Sequence, residues 1–219
     1  MTLTATERAR RIKVILFDVD GVLTDGTIWL IPSPGHSGAS TQLQDKSDGI
    51  GFGIQSSTMA EAKGYSAHDG AGISLARIAG LKCGVITKRV SESVATRARD
   101  LKLEFVYMGQ AFKMQAVRKI MAEANVTLDE IAYVGDDVID LPVLRECGLA
   151  IAVANAREQV KAAAHFVTPH RGGYGAGRDA IDFILDAKGV LNDCIEKMID
   201  ESIPVSSSMD IGNSGDSKQ

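Results

Sequence analysis

Apolar runs of strand length alternate along this chain with segments whose apolar residues recur at helical period. That alternation is produced when parallel strands are joined by amphipathic helices. Strands are predicted at Ile12–Phe17, Lys82–Ile86, Glu104–Met108, Ile131–Val134, Leu149–Val153 and Phe166–Thr168. Between them, Gly70–Ala79, Ser91–Leu101, Phe112–Ala124, Val138–Cys147 and Arg157–Ala164 read as helices, followed by Ala180–Leu185 and Val190–Ile199. The implied fold class is α/β, a three-layer Rossmann-like parallel sheet flanked by helices.

The rhythm breaks between Val22 and Ala67, a stretch rich in Gly, Ser and Thr with Pro32 and Pro34 close together. No regular crossover helix fits there. Thr27–Ile31 and a stretch near Ala62–Ala67 are predicted to pair as a projecting β-hairpin, with Gly35–Ser57 as its long tip. Within the tip, Gly49-Ile50-Gly51-Phe52-Gly53 neither follows a core strand nor opens a helix, so it reads as loop rather than as a nucleotide-binding turn. The organisation expected is one domain over residues 1–205, with the hairpin inserted at 22–67, and a polar, disordered tail at 206–219.

Composition narrows the picture. Of 219 residues, 45% are hydrophobic and 24% charged, enough for a sizeable core under a polar surface. Lys and Arg number 24 against 28 Asp and Glu, a net charge of −4, which argues against a nucleic-acid partner. No run reaches the roughly 18 apolar residues of a membrane span, and the first residues lack a signal-peptide core. A cytoplasmic protein without membrane association is expected. Cys83, Cys147 and Cys194 lie far apart without metal-ligand spacing and read as reduced, buried small residues. His36, His165 and His170 likewise lack the mutual spacing of a metal site.

Ligands of an open parallel α/β sheet bind beyond the carboxyl ends of its strands. Those ends carry Asp18 and Asp20 after the first strand, Thr87, Lys88 and Arg89 after Lys82–Ile86, and Asp136, Asp137 and Asp140 after Ile131–Val134. Lys113 opens the helix after the third strand. Carboxylates converging on one crevice repel unless a cation joins them. An all-oxygen donor set without His or Cys favours Mg²⁺, which takes a further ligand from a phosphate. Thr87 and Lys113 then serve as a hydroxyl donor and a positive charge on phosphate oxygens.

The run Asp18-Val19-Asp20-Gly21-Val22-Leu23-Thr24-Asp25-Gly26 resembles the first motif of the haloacid dehalogenase superfamily of phosphatases. Ile86-Thr87 resembles the second motif, Lys113 the third, and Gly135-Asp136-Asp137-Val138-Ile139-Asp140 the fourth. The resemblance implies that Asp18 is the nucleophile, forming an aspartyl-phosphate, and that Asp20 is the general acid and base. It also implies Mg²⁺ on Asp18, Asp136 and the Asp20 backbone carbonyl, with Asp137 and Asp140 binding its waters or orienting Lys113. Only 22 residues separate Lys113 from Asp136, so no large cap domain fits between them.

A capless, hairpin-bearing member is similar to the 3-deoxy-D-manno-octulosonate 8-phosphate phosphatases. Further segments carry that similarity: His68-Asp69-Gly70, Ile86-Thr87-Lys88-Arg89, Tyr107-Met108-Gly109-Gln110, Asp140-Leu141-Pro142 and Gly172-Gly173-Tyr174-Gly175-Ala176-Gly177-Arg178. The resemblance implies a phosphorylated sugar acid as substrate and a homotetramer assembled through the hairpins. Arg89, then Lys88, are the expected contacts to the substrate carboxylate, with His68 and Arg178 as further substrate-binding candidates and Trp29 at a subunit contact. The family usually has Arg where His68 and Tyr174 stand, Gly at Lys88 and Asp at Phe112. Two other readings are a phosphatase of a nine-carbon sugar-acid phosphate and a catalytically weak structural subunit of a larger complex.

Overall fold

The computed structural model describes residues 3–32, 52–53 and 59–200. Its centre is a six-stranded, wholly parallel sheet built from β1 (Val14–Phe17), β5 (Lys82–Ile86), β7 (Phe105–Tyr107), β8 (Ile131–Gly135), β9 (Leu149–Ala152) and β10 (Phe166–Val167). The spatial order is β10-β9-β8-β1-β5-β7, which puts β1 at the middle with β5 and β8 hydrogen-bonded on either side. Every residue of β1, β8 and β9 is buried. A strand covered on both faces needs this continuous apolar run.

The helices are α1 (Ala5–Ala9), α2 (Ala67–Ile78), α3 (Glu92–Asp100), α4 (Lys113–Ala124), α5 (Leu141–Leu144), α6 (Glu158–Ala163), α7 (Ala176–Ala187) and α8 (Leu191–Ile199). Each predicted core strand is present, with boundaries moved by no more than two residues. The predicted helix over 138–147 is instead a 3-10 turn, Val138–Asp140, followed by the single turn of α5. Asp140 draws the backbone amides of Asp136 and Asp137 onto its own carboxylate, which tightens this corner. The amino-terminal helix α1 was not anticipated, although Thr4 and Glu7 form a reciprocal capping box visible in the spacing.

The insertion is a hairpin, as expected, but its second arm lies elsewhere. β2 (Trp29–Pro32) pairs antiparallel with β4 (Met59–Ala62), in the register Trp29↔Ala62 and Pro32↔Met59. The predicted arm at Ala62–Ala67 is corrected because Ser66 caps α2, accepting from the His68 amide at 3.2 Å, and the chain turns helical at Ala67. Phe52–Gly53, read as loop, forms a two-residue strand, β3, parallel to β6 (Arg89–Val90). The rest of the predicted tip and the 206–219 tail lie outside the described residues. Lys113 and β8 are linked only by α4 and a short 3-10 turn, so no cap domain stands there. The three cysteines are buried.

Candidate active site

The carboxyl ends of β1 and β8 bring the acidic residues together. The Asp18 amide donates to Val134 O at 2.9 Å, extending the sheet ladder one residue past β1 and fixing where the Asp18 side chain emerges. Beyond it the chain closes around the Val19 carbonyl, which accepts from the amides of Leu23 and Thr24, each at 3.0 Å, and from the Thr24 hydroxyl at 3.3 Å. Gly21 lies inside this turn at φ +91°, and a Cβ there would come within 2.2 Å of Asp136 Oδ2. Only glycine combines that dihedral with so close an approach.

Lys113, first residue of α4, sends its ammonium into the crevice. It lies 2.8 Å from Asp18 Oδ1 and 2.7 Å from Asp140 Oδ1. Asp140 is completely buried and its oxygens are saturated. Oδ1 also accepts from the Tyr133 hydroxyl at 2.8 Å, while Oδ2 accepts from the Asp136 and Asp137 amides. Asp140 therefore orients Lys113 and the 135–137 turn. Asp137 caps that turn, accepting from the Val138 amide at 2.6 Å.

Carboxylate oxygens of Asp18, Asp136 and Asp140 all lie within 4.8 Å of one another. Three carboxylates thus face one ammonium, and burial makes the excess charge costly. Burial pushes the Asp18 carboxyl up to about 7, against the pull of Lys113, with repulsion from Asp140 adding to the rise. Burial followed by repulsion from Asp18 raises Asp136 to about 7 as well. Burial disfavours the Lys113 charge, yet Asp18 and Asp140 outweigh it and hold its pKa above the usual value. Asp136 Oδ1 is buried without a hydrogen-bond partner. An unpartnered carboxylate oxygen beside Asp18, in a site with surplus negative charge, fits a hard divalent cation held by these two residues.

Thr87 is buried at the end of β5, its hydroxyl oxygen accepting from the Arg89 amide at 3.2 Å. Lys88 is half-buried at the same turn. The Arg89 guanidinium is held 2.8 Å from Glu61 Oε2 on β4, which ties the hairpin to this strand end. His68 is exposed at the start of α2, and a Cβ on Gly175 would lie 3.8 Å from its Cβ. Arg178 lies on α7, where its Nε bonds Asp182 at 2.7 Å and its amide donates to Asp69 at 2.9 Å. The first bond lies within α7, and the second binds α7 to α2. The glycine-rich segment before it closes over the Asp18 turn: Gly173 donates to Val22 O at 3.0 Å, and a Cβ on Gly172 would overlap Gly21 O.

Asp20 points its carboxylate at Lys63, whose side chain is 0% exposed and whose ammonium also lies 3.3 Å from Glu61 Oε1. Lys63, Glu61 and Tyr133 were not singled out from sequence. A signal existed for the first two: residues two apart share one face of an extended chain, so Glu61 and Lys63 mark a charged edge beside the sheet. Tyr133 carries the one polar tip in an otherwise apolar buried strand.

A parallel sheet with a buried aspartate after its central strand, a buried lysine beside it and further carboxylates across the crevice is the arrangement of a haloacid dehalogenase-like hydrolase. The family profile of that description, haloacid dehalogenase-like hydrolase, matches residues 86–175. The 3-deoxy-D-manno-octulosonate 8-phosphate phosphatase KdsC of Yersinia pestis is 32% identical over 185 residues, covering 84% of this chain and 86% of the relative. A crystal structure of the Yersinia pestis phosphatase superposes with a TM-score of 0.71 at 32% identity, over 86% of this chain and 88% of that one. The Moraxella catarrhalis phosphatase, solved with magnesium, phosphate and KDO, gives a TM-score of 0.73 at 29% identity, over 89% and 97% of the two chains. The chain belongs to the 3-deoxy-D-manno-octulosonate 8-phosphate phosphatase family of the haloacid dehalogenase superfamily.

Proposed function

We propose that this chain is a Mg²⁺-dependent phosphatase that hydrolyses 3-deoxy-D-manno-octulosonate 8-phosphate to the free sugar acid and phosphate. The observation that carries the reading is the Asp18 carboxylate, anchored 2.8 Å from Lys113 and clustered with the unpartnered oxygen of Asp136. Asp18 and Asp136, with the Asp20 carbonyl, would hold the ion, which when bound supplies neutralising charge to the phosphate and the carboxylates.

In the first half of the reaction an Asp18 oxygen bonds to phosphorus as the phosphorus–ester oxygen bond breaks. The ester oxygen keeps the electron pair and takes the proton of Asp20. In the second half Asp20 takes a proton from water, whose oxygen bonds to phosphorus and releases Asp18. Lys113 and the Thr87 hydroxyl bind the phosphate oxygens while charge moves between attacking and leaving atoms. Asp140 holds Lys113 in place, and Asp137 fixes the adjoining turn. Arg89, Lys88, His68 and Arg178 are the candidate contacts to the sugar acid. Arg89 would exchange or share its bond to Glu61 with the substrate carboxylate.

The enzyme is proposed to work in the cytoplasm as a homotetramer joined through the hairpins, where Trp29, Leu30 and Ile31 are exposed. Phosphate release from the eight-carbon substrate, measured with and without Mg²⁺, tests the reading. Turnover is expected only with the ion. Equal or faster turnover of a nine-carbon sugar-acid phosphate would reassign the substrate, and no release from any sugar phosphate would leave a structural subunit.

A further inference from the structure

Lys63 has no place in the reaction just described, yet it is the kind of group a fold rarely buries without use. Its side chain is 0% exposed, immediately after the arm β4 of a hairpin whose other arm, β2, is exposed throughout. Its ammonium meets two carboxylates: Asp20 Oδ1, and Glu61 Oε1 at 3.3 Å. Glu61 is in turn fixed by Arg89 Nη2, 2.8 Å from its other oxygen. The chain Arg89–Glu61–Lys63–Asp20 thus runs from the end of β5, across the hairpin, to the turn after β1. A buried ammonium between two carboxylates has little freedom to move, since leaving either one exposes an uncompensated charge.

We propose that Lys63 is the positioning residue for the acid–base carboxylate of Asp20, with Glu61 as its anchor, an inference that rests on the phosphatase reading above. Lys63 holds Oδ1 and so sets the rotation of the carboxylate, leaving Oδ2 to give the proton to the ester oxygen and to take one from water. Proton transfer demands a heavy-atom approach of hydrogen-bond length, so a carboxylate free to turn loses rate without losing affinity. The hairpin thereby contributes to the chemical step through a residue that touches no substrate atom.

The test compares two leaving groups in single-turnover experiments with Mg²⁺. An alkyl phosphate, the sugar substrate, needs its leaving oxygen protonated. p-Nitrophenyl phosphate does not, because its phenolate departs unprotonated. Lys63→Met is expected to slow phosphoryl transfer from the alkyl ester at least ~10-fold with KM little changed, and the p-nitrophenolate burst less than ~3-fold, the contrast general-acid catalysis imposes. Lys63→Arg is expected to restore much of the alkyl rate. Equal losses on both substrates would make Lys63 a mere staple of the hairpin, and no loss on either would remove it from the reaction; both outcomes overturn the proposal. Should Lys63→Met fail to fold, Glu61→Gln carries the same comparison, with selective loss of the alkyl rate supporting the proposal and unselective or absent loss refuting it. Asp20→Asn separates the two levels. If it keeps the alkyl rate, the acid–base assignment itself fails; if it loses that rate selectively while Lys63→Met does not, only the role of Lys63 falls.

Discussion

Asp18 and Asp69 show how burial gives the same side chain different uses. Asp18 faces a lysine and two further carboxylates, an arrangement suited to attack on phosphorus. Asp18→Asn keeps the shape and removes the carboxylate proposed as nucleophile, so phosphate release is expected to fall about a thousandfold or more. Gly21→Ala places a methyl group against Asp136 at a dihedral that only glycine tolerates. It is expected to cost about 1–3 kcal/mol of stability in urea melts and to weaken Mg²⁺ binding in the same samples. Asp69 opens α2, accepts from the Arg178 amide through Oδ1 and leaves Oδ2 buried without a partner. Burial raises its carboxyl from 3.8 to about 6. The folded state then binds this proton more tightly than the unfolded chain, so the associated stability is full below pH 3.8 and is lost as pH rises through 6. Asp69→Asn keeps the Oδ1 acceptor without the charge. The variant is expected to gain up to about 3 kcal/mol relative to wild type at pH 8, with the difference fading toward pH 4 in matched denaturant titrations.

The elements owe their positions to short-range devices as much as to apolar period. Ser66 starts α2 by capping the His68 amide. Ser66→Ala is expected to cost about 1 kcal/mol, read as a lower urea midpoint with an unchanged slope. Strand positions were legible because continuous apolar runs such as Val14–Phe17 and Ile131–Val134 can be satisfied only inside a covered sheet. The second hairpin arm was not legible. Met59–Ala62 and Ala62–Ala67 are both short, small-residue segments, and the choice between them was made by the Ser66 cap and by Glu61 reaching Arg89. The turn over 138–140 escaped for a similar reason: its helical composition is overridden by a buried aspartate collecting backbone amides.

The described residues pack an apolar core around the central sheet, to which every helix contributes, from Ala9 on α1 to Cys194 on α8. Within it α3 contributes Val94, and α4 contributes Ala116, Val117 and Ile120. The hairpin stands apart from it. Trp29, Leu30, Ile31 and Met59 are 63%, 54%, 49% and 40% exposed, a clustered apolar surface of the kind that oligomers cover. Leu30→Glu in the hairpin is expected to shift the protein to a smaller species in light scattering after size exclusion. An unchanged mass would place the proposed subunit contact elsewhere.

Period and order along the chain were enough to name the fold class and to carry Asp18, Asp20, Thr87, Lys113 and Asp136 to successive strand ends, because strand direction and length are local properties. Asp18 and Lys113 could be read as neighbours only through a resemblance in motif order. Contacts that join distant positions became visible with the folded chain: Tyr133 to Asp140, Arg89 to Glu61, and Lys63 to Asp20. None leaves a periodic trace, since each depends on where two separate elements cross. A buried charge is placed by its partner, and the partner is chosen in three dimensions.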